Sequence, residues 1–211
     1  IPLTPWDNPS GDIPTADAIA PGRGAIDKEK SARTATPRER EYIAAAAILF
    51  SDPSPGSHRS RLERYEAAME KVAEAHRDDI EAQIFWALSI AQAAEPNDKT
   101  LKRQLKAGEV LEPLFAKMPQ HPGLAHYIIH AYDVPPLAAR ALPAARAYAD
   151  IGPAVPHALH MPSHTFTRVG LWQESVATNR KSADTADRHG EPYAGMHALD
   201  YMKYAYLQFG M

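Results

Sequence analysis

The chain has 211 residues, which is the size of one ordinary domain or one short array of helical repeats. Its 23 Lys and Arg against 26 Asp and Glu give a formal net charge of -3, which argues against a nucleic-acid partner, because such proteins usually carry a basic surface. The sequence contains no cysteine, which excludes disulfides, thiolate metal ligands and cysteine nucleophiles.

Composition predicts a helical protein that does not span a membrane. The longest uninterrupted apolar run covers only residues 43–50, whereas a membrane-spanning helix needs about 20 apolar residues. Abundant alanine and few β-branched residues favour helix over strand. The 19 prolines predict many short helices with abrupt ends, because proline cannot continue a helix without losing a hydrogen bond.

The predicted elements begin with an irregular, Pro/Gly-rich leader over residues 1–35. Thr36 then precedes Pro37 and Glu39, in the order typical of a helix start. Residues 36–211 are predicted to form one helical repeat domain. Its predicted helices cover 37–50, 58–75, 78–94, 99–118, 122–132, 136–151, 156–169, 171–187 and 193–209. Pro143 and Pro162 lie inside two of these spans, so each is expected to kink its helix or to mark a later start.

The second half of the chain repeats itself with a period of 34 residues. This shift superimposes the segment 122–155 on the segment 156–189, and a half repeat follows at 196–210. The residues that align are Pro122 with Pro156, His126 with His160, His130 with His164, and Tyr132 with Phe166. Paired helices at this period indicate stacked helix hairpins of the tetratricopeptide type.

The second repeat resembles the tetratricopeptide-repeat (TPR) family, with an aromatic, a turn glycine, another aromatic and small residues where helices pack. These features lie at Phe166, Arg168, Val169, Gly170, Trp172, Glu174, Ser175 and Ala183. The resemblance covers most of residues 37–211. It implies an all-α fold, namely a TPR-like α-solenoid of antiparallel helix hairpins in a right-handed superhelical stack, whose first helices line a concave groove.

Residues 121–133 and 156–166 more narrowly resemble a group of bacterial TPR proteins of unassigned function. This resemblance implies a bacterial source, further repeats before Ile1 and after Met211, and export, for example to the periplasm, of the full-length protein. The last predicted helix lacks the second helix of its repeat, which would expose apolar surface at Tyr201, Tyr206 and Phe209. We expect further sequence, a neighbouring molecule or a self-associated second copy to cover this surface.

Histidines are the most distinctive feature of the repeats, because eight of the ten lie within residues 121–197. Spacings of three and four residues place neighbouring histidines on one helix face, and the repeat period sets two such rows side by side. Four of them are the predicted metal ligands: His126, His130, His160 and His164. The predicted ligand groove adds Asp133, His157, Arg168, His197, Asp200 and Tyr204. A sulfur-free site of this kind suits Zn(II), Cu(II), Ni(II) or Fe(II).

Three functions are consistent with these patterns. The first is a binding module whose histidine-lined groove takes a peptide, a protein or a small ligand, together with a divalent transition metal. The second is a metal-dependent enzyme, hydrolytic or oxidative, that uses the histidine cluster. The third is a purely structural segment of a longer array, in which each imidazole is a partly buried, hydrogen-bonded groove filler.

Overall fold

The structure is a computed structural model that describes residues 15–31 and 36–210. Within these ranges the chain is helical and contains no β-strand. Its α-helices in chain order are α1 (Ala16–Lys30), α2 (Pro37–Leu49), α3 (His58–Ala75), α4 (Ile80–Gln92), α5 (Lys102–Lys117), α6 (Pro122–Ala131), α7 (Leu142–Ile151), α8 (Pro156–His160), α9 (Pro162–Arg168), α10 (Trp172–His189) and α11 (Pro192–Gln208). Most consecutive helices pack against each other. The all-helical prediction is therefore confirmed.

No helix in the described part of the chain has both the length and the apolar character that a membrane crossing requires.

The segment predicted to be an irregular leader contains a helix, so that prediction is wrong for Ala16–Lys30. The Thr15 side chain caps this helix by accepting a hydrogen bond from the Ala18 backbone N–H at 3.2 Å. Pro21 lies inside it at the cost of one backbone hydrogen bond. Tertiary contacts offset this cost, because Ile19 is buried and α1 packs against α2. Residues 1–14 and 32–35 of the predicted leader lie outside the described residues.

The chain divides into two compact units, Ile1–Ala107 and Gly108–Met211, whereas one domain was expected over 36–211. The first unit has a core between α2, α3 and α4. Its helix α2 starts as predicted. The Thr36 hydroxyl accepts from the Glu39 backbone N–H, and the Glu39 carboxylate accepts from the Thr36 backbone N–H at 2.6 Å.

Two prolines set the helix boundaries of the second unit. The span predicted over 136–151 begins as a 3-10 segment, and α7 starts at Leu142 with Pro143 in its first turn. The span predicted over 156–169 is broken at Met161, so that α8 ends at His160 and α9 begins at Pro162. Both predicted interruptions are confirmed.

Helix α10 supports the broken helix through buried hydroxyl groups. The Thr178 hydroxyl donates to the Leu159 carbonyl, and the Ser182 hydroxyl donates to the Pro156 carbonyl at 2.7 Å. These bonds supply donors to two carbonyls of α8, and the Leu159 carbonyl lies in the last turn, where an isolated helix has no donor of its own. They also hold α8 and α9, which carry three of the repeat histidines, in a defined position on α10.

Candidate metal centre

The second unit gathers six histidines into two groups of three. Triad A consists of His160, His164 and His197, and triad B consists of His126, His130 and His157. In each triad, one ligand nitrogen per ring lies within 4.8 Å of the other two. Among the described residues these are the groups of at least three metal-ligating side chains that meet this condition.

The four predicted ligands therefore do not form a single group. His126 and His130 are joined by His157, while His160 and His164 are joined by His197 from α11. Both additional histidines had been assigned to the ligand groove rather than to a metal. Pairs four residues apart on one helix face do converge, because the Nε2 atoms are 3.0 Å apart in the first pair and 3.1 Å apart in the second. The third member depends on how the helices pack.

Asn179 determines which nitrogen of His160 carries the proton. The Asn179 amide N–H donates to the Ser175 carbonyl at 2.9 Å, so the amide oxygen must face the imidazole. That oxygen lies 2.7 Å from His160 Nδ1, which therefore donates its proton to the amide. In the neutral ring, Nε2 is then an unprotonated acceptor.

Asp133 has the same effect on His164. Burial opposes its ionisation, but hydrogen bonds from His164 and Arg168 together keep the pKa of this carboxyl below its ordinary value. The ionised carboxylate accepts from His164 Nδ1 and from Arg168 Nε, both at 2.9 Å. When the His164 imidazole is neutral, this hydrogen bond places its proton on Nδ1, and Nε2 then presents a lone pair.

With both rings neutral, triad A sets two lone pairs against each other. The Nε2 atoms of His160 and His164 are 3.1 Å apart, and both acquired their acceptor character from hydrogen bonds on the opposite side of the ring. Two acceptors at this distance repel unless a positive charge, a proton or a metal ion, lies between them. Two nitrogens bound at 2.0–2.1 Å to a tetrahedral ion are about 3.3 Å apart, which is close to the observed spacing.

Burial keeps several of the imidazoles in the neutral form that binds metals. It lowers the pKa of His160 to about 3, with a smaller contribution from the nearby His164. It also lowers the pKa of His197, again with His164 as the second cause. A neutral ring needs no deprotonation before it coordinates an ion.

Tyr201 and the third histidine complete the surroundings of triad A. The His197 ring lies 4.4 Å from that of His160, measured between centroids. The Tyr201 ring meets His160 edge-on at 4.7 Å and lies 5.0 Å from His164. Because aromatic packing restricts ring rotation, these contacts hold the ligand nitrogens in place.

A cavity of about 370 Å³ adjoins triad A. It shares His164 and Tyr201 with the surroundings of the triad, and its other lining residues are Asp133, Thr167, Arg168, Asp200 and Tyr204. Four of the six residues predicted to form a ligand groove therefore line one cavity, namely Asp133, Arg168, Asp200 and Tyr204. His157 and His197, the other two, belong to the triads.

Sequence reasoning missed Asn179, the residue that orients His160. A signal was present, because Ser175, Asn179 and Ser182 follow one another at spacings of four and three on α10 and are all buried. A polar stripe on the buried side of a helix indicates polar partners in the neighbouring helix. The partners are the Thr167 hydroxyl for Ser175, the side chain of His160 for Asn179 and the Pro156 carbonyl for Ser182.

Comparison of the chain with protein-family models, with curated proteins and with solved structures finds no match.

Proposed function

We propose that the second unit is a metal-dependent ligand-binding module, in which His160, His164 and His197 hold a divalent transition metal beside the 370 Å³ cavity. The observation that carries this proposal is the 3.1 Å contact between two Nε2 atoms whose rings both donate through Nδ1. A proton between the two Nε2 atoms would also remove their repulsion. A third nitrogen within 4.8 Å favours a metal ion instead, because an ion has several coordination positions. Nitrogen ligands without sulfur suit Zn(II), Cu(II), Ni(II) or Fe(II).

The cavity suits a small ligand or the end of a peptide. Its volume falls within the range of small-molecule sites, and its lining combines apolar tyrosine surface with a few polar groups. Arg168 offers a cation and Asp200 offers a carboxylate, while Tyr204 is half exposed. A ligand that carries both a metal-binding atom and a charged group would use the ion and this lining together.

We further propose that the helices form a TPR-like α-solenoid, because such arrays present a continuous surface to a ligand. The packing of consecutive helices supports this proposal. Gly170 and Gly190, which precede α10 and α11, have positive φ angles of 77° and 68° and allow the tight reversals between helices.

Metal titration of the 211-residue chain tests the metal site. The protein is purified without a nickel column, stripped with a chelator and titrated with Zn(II) in a calorimeter. We expect His197→Ala to weaken one Zn(II) equivalent at least about 10-fold, since it removes one of three ligands. The matched control is His189→Ala, which removes an exposed histidine at the end of α10. Equal binding by both variants and the parent would contradict the site.

Metal-dependent catalysis is a second candidate, favoured by one observation: among the described residues, triad A offers three histidines as ligands, and a cavity lies next to them. Catalytic metal sites keep a coordination position open for water or substrate, whereas structural sites do not. Loading with Co(II) and adding azide tests for an open position. A shift of the Co(II) absorption spectrum would favour catalysis, and an unchanged spectrum would favour a closed site.

A further inference from the structure

Triad B has a contact pattern that ordinary hydrogen bonding does not satisfy. The Nε2 atom of His126 lies 3.0 Å from His130 Nε2 and 3.1 Å from His157 Nε2. The first two residues lie on α6 and the third lies on α8, so the convergence results from helix packing. Three nitrogens of three separate rings thus lie within 4.8 Å of one another.

A ring nitrogen has a single in-plane position, which holds either a proton or a lone pair. The His126 Nε2 atom can therefore make one well-directed hydrogen bond, although two other Nε2 atoms lie within 3.1 Å of it. One of these two nitrogen–nitrogen contacts is therefore not a well-directed hydrogen bond. A metal ion removes the conflict, because each of the three nitrogens directs its lone pair at the same cation.

The rings of triad B are held in position by aromatic packing. Tyr127 and Tyr148 both stack on His126 at 5.3 Å between centroids, with interplanar angles of 26° and 16°. Because stacking restricts rotation of the His126 ring, its Nε2 atom stays directed at the Nε2 atoms of His130 and His157.

We propose that His126, His130 and His157 form a second transition-metal site, distinct from triad A, so that the second unit holds a pair of ions. The second site stands on its own contacts, whereas the pairing rests on the function proposed above. His157 and His160 lie on the same short helix, and their ring centroids are 6.5 Å apart. With nitrogen–metal bonds of 2.0–2.1 Å, the two ions would be no more than about 13 Å apart.

A matched pair of substitutions separates the two sites. His157 and His197 are both exposed, and each is the third member of its triad. Each therefore changes to alanine with little disturbance of the core. The 211-residue chain, stripped of metal, is titrated with Cu(II), and bound copper is counted after dialysis.

The parent chain is expected to bind two equivalents of Cu(II). His157→Ala should weaken one of them at least about 10-fold and His197→Ala the other, while the double variant loses both. One equivalent in the parent, retained in His157→Ala and lost in His197→Ala, would overturn the second site and leave the proposed function standing. One equivalent in the parent, lost in His157→Ala and retained in His197→Ala, would support the second site and overturn triad A. A single equivalent lost in both variants would mean that the histidines form one shared site, which would overturn the second site. No bound copper would overturn both proposals.

Electron paramagnetic resonance gives a second measurement that does not depend on affinity. Two Cu(II) ions within about 13 Å broaden each other's spectrum by dipolar coupling, so the loaded parent should show broadened lines. Each single variant should show the narrow spectrum of an isolated ion. Narrow lines in a parent chain that holds two equivalents would overturn the pairing.

Discussion

Asn179 and Asp133 each orient one histidine of triad A through a single hydrogen bond. Each accepts a hydrogen bond from the Nδ1 atom of one histidine, so that Nε2 of the neutral ring is left unprotonated, as a metal ligand must be. Partners of this kind usually change metal affinity by 10- to 100-fold when they are removed. Metal binding at the proposed site would thus depend on two residues that do not themselves coordinate the ion.

Asp133→Asn tests this role. Arg168 can only donate, so it should take the new amide oxygen and leave the amide NH₂ facing His164 Nδ1. The ring would then carry its proton on Nε2, and we expect Zn(II) affinity at triad A to fall about 10- to 100-fold. Calorimetric titration measures the change. Asp150→Asn, the same substitution at an exposed position of α7, should leave it unaltered.

The buried histidines also predict how stability depends on pH. The native pKa values of His126, His130 and His160 are about 2, 4 and 3, against about 6.5 in an unfolded chain. Between these values the unfolded chain binds protons that the native chain does not, so the free energy of unfolding decreases as pH falls below about 6.5. Each histidine contributes up to about 1.4 kcal/mol per pH unit.

Urea denaturation of the metal-free chain at pH 7.5, 6.5, 5.5 and 5 measures this dependence. His126→Phe keeps an aromatic ring against Tyr127 and Tyr148 but cannot be protonated, so it should reduce the slope below pH 6.5. A free energy of unfolding that is the same at pH 7.5 and pH 5 would show that these rings are not kept neutral by burial.

At the scale of the helix, close packing of α5 requires a glycine. A Cβ atom at Gly108 would collide with the ring and hydroxyl of Tyr132, which is fully buried and donates to the Glu112 carboxylate at 2.9 Å. Alanine would gain about 1 kcal/mol of helix propensity. The ring cannot move without losing its hydrogen bond and its packing, which costs about 1–3 kcal/mol.

The cost exceeds the gain in helix propensity, so we expect Gly108→Ala to lower the free energy of unfolding by up to about 2 kcal/mol, measured by urea denaturation. Gly24→Ala in α1 is the matched control, because nothing lies within 4 Å of the added Cβ there. That variant should be neutral or slightly stabilised. A stabilised Gly108→Ala would mean that Tyr132 moves aside freely.

Helix boundaries were the part of the fold that local sequence predicted best. The start of α2 at a capping box and the interruptions at Pro143 and Pro162 follow from hydrogen bonds within one or two turns. Helix α1 was not predicted, because it depends on tertiary contacts rather than on local sequence. Its one proline and two glycines disfavour a helix locally, and burial of Ile19 against the rest of the first unit stabilises it.

At the scale of the whole molecule, α11 leaves a broad apolar surface in contact with solvent. Its most exposed large apolar side chains are Tyr193, Met196, Leu199, Tyr204 and Leu207, and the side chain of Leu207 is 61% exposed. Exposed apolar patches of this kind commonly mark association surfaces. Coverage of this helix by a self-associated second copy was one of the outcomes expected from the sequence.

Sedimentation velocity at several concentrations tests whether a second copy covers this surface. Leu207→Glu should shift the chain towards monomer, because a charge in an apolar interface must be desolvated. Gln208→Glu adds the same charge one position away on the helix and should have a smaller effect. A parent chain that remains monomeric at high concentration would contradict self-association.

The sequence by itself determined the helical class, most helix ends, and the two histidine pairs at spacings of four, because these depend on helical periodicity and on the chemistry of proline. Only the tertiary structure decided which histidine joins each pair and which ring nitrogen carries the proton. The contacts responsible join His160 to Asn179 and His164 to Asp133, which are 19 and 31 positions apart. A repeat period can place such residues on neighbouring helices, but side-chain packing between the helices sets the distances at which nitrogen atoms meet.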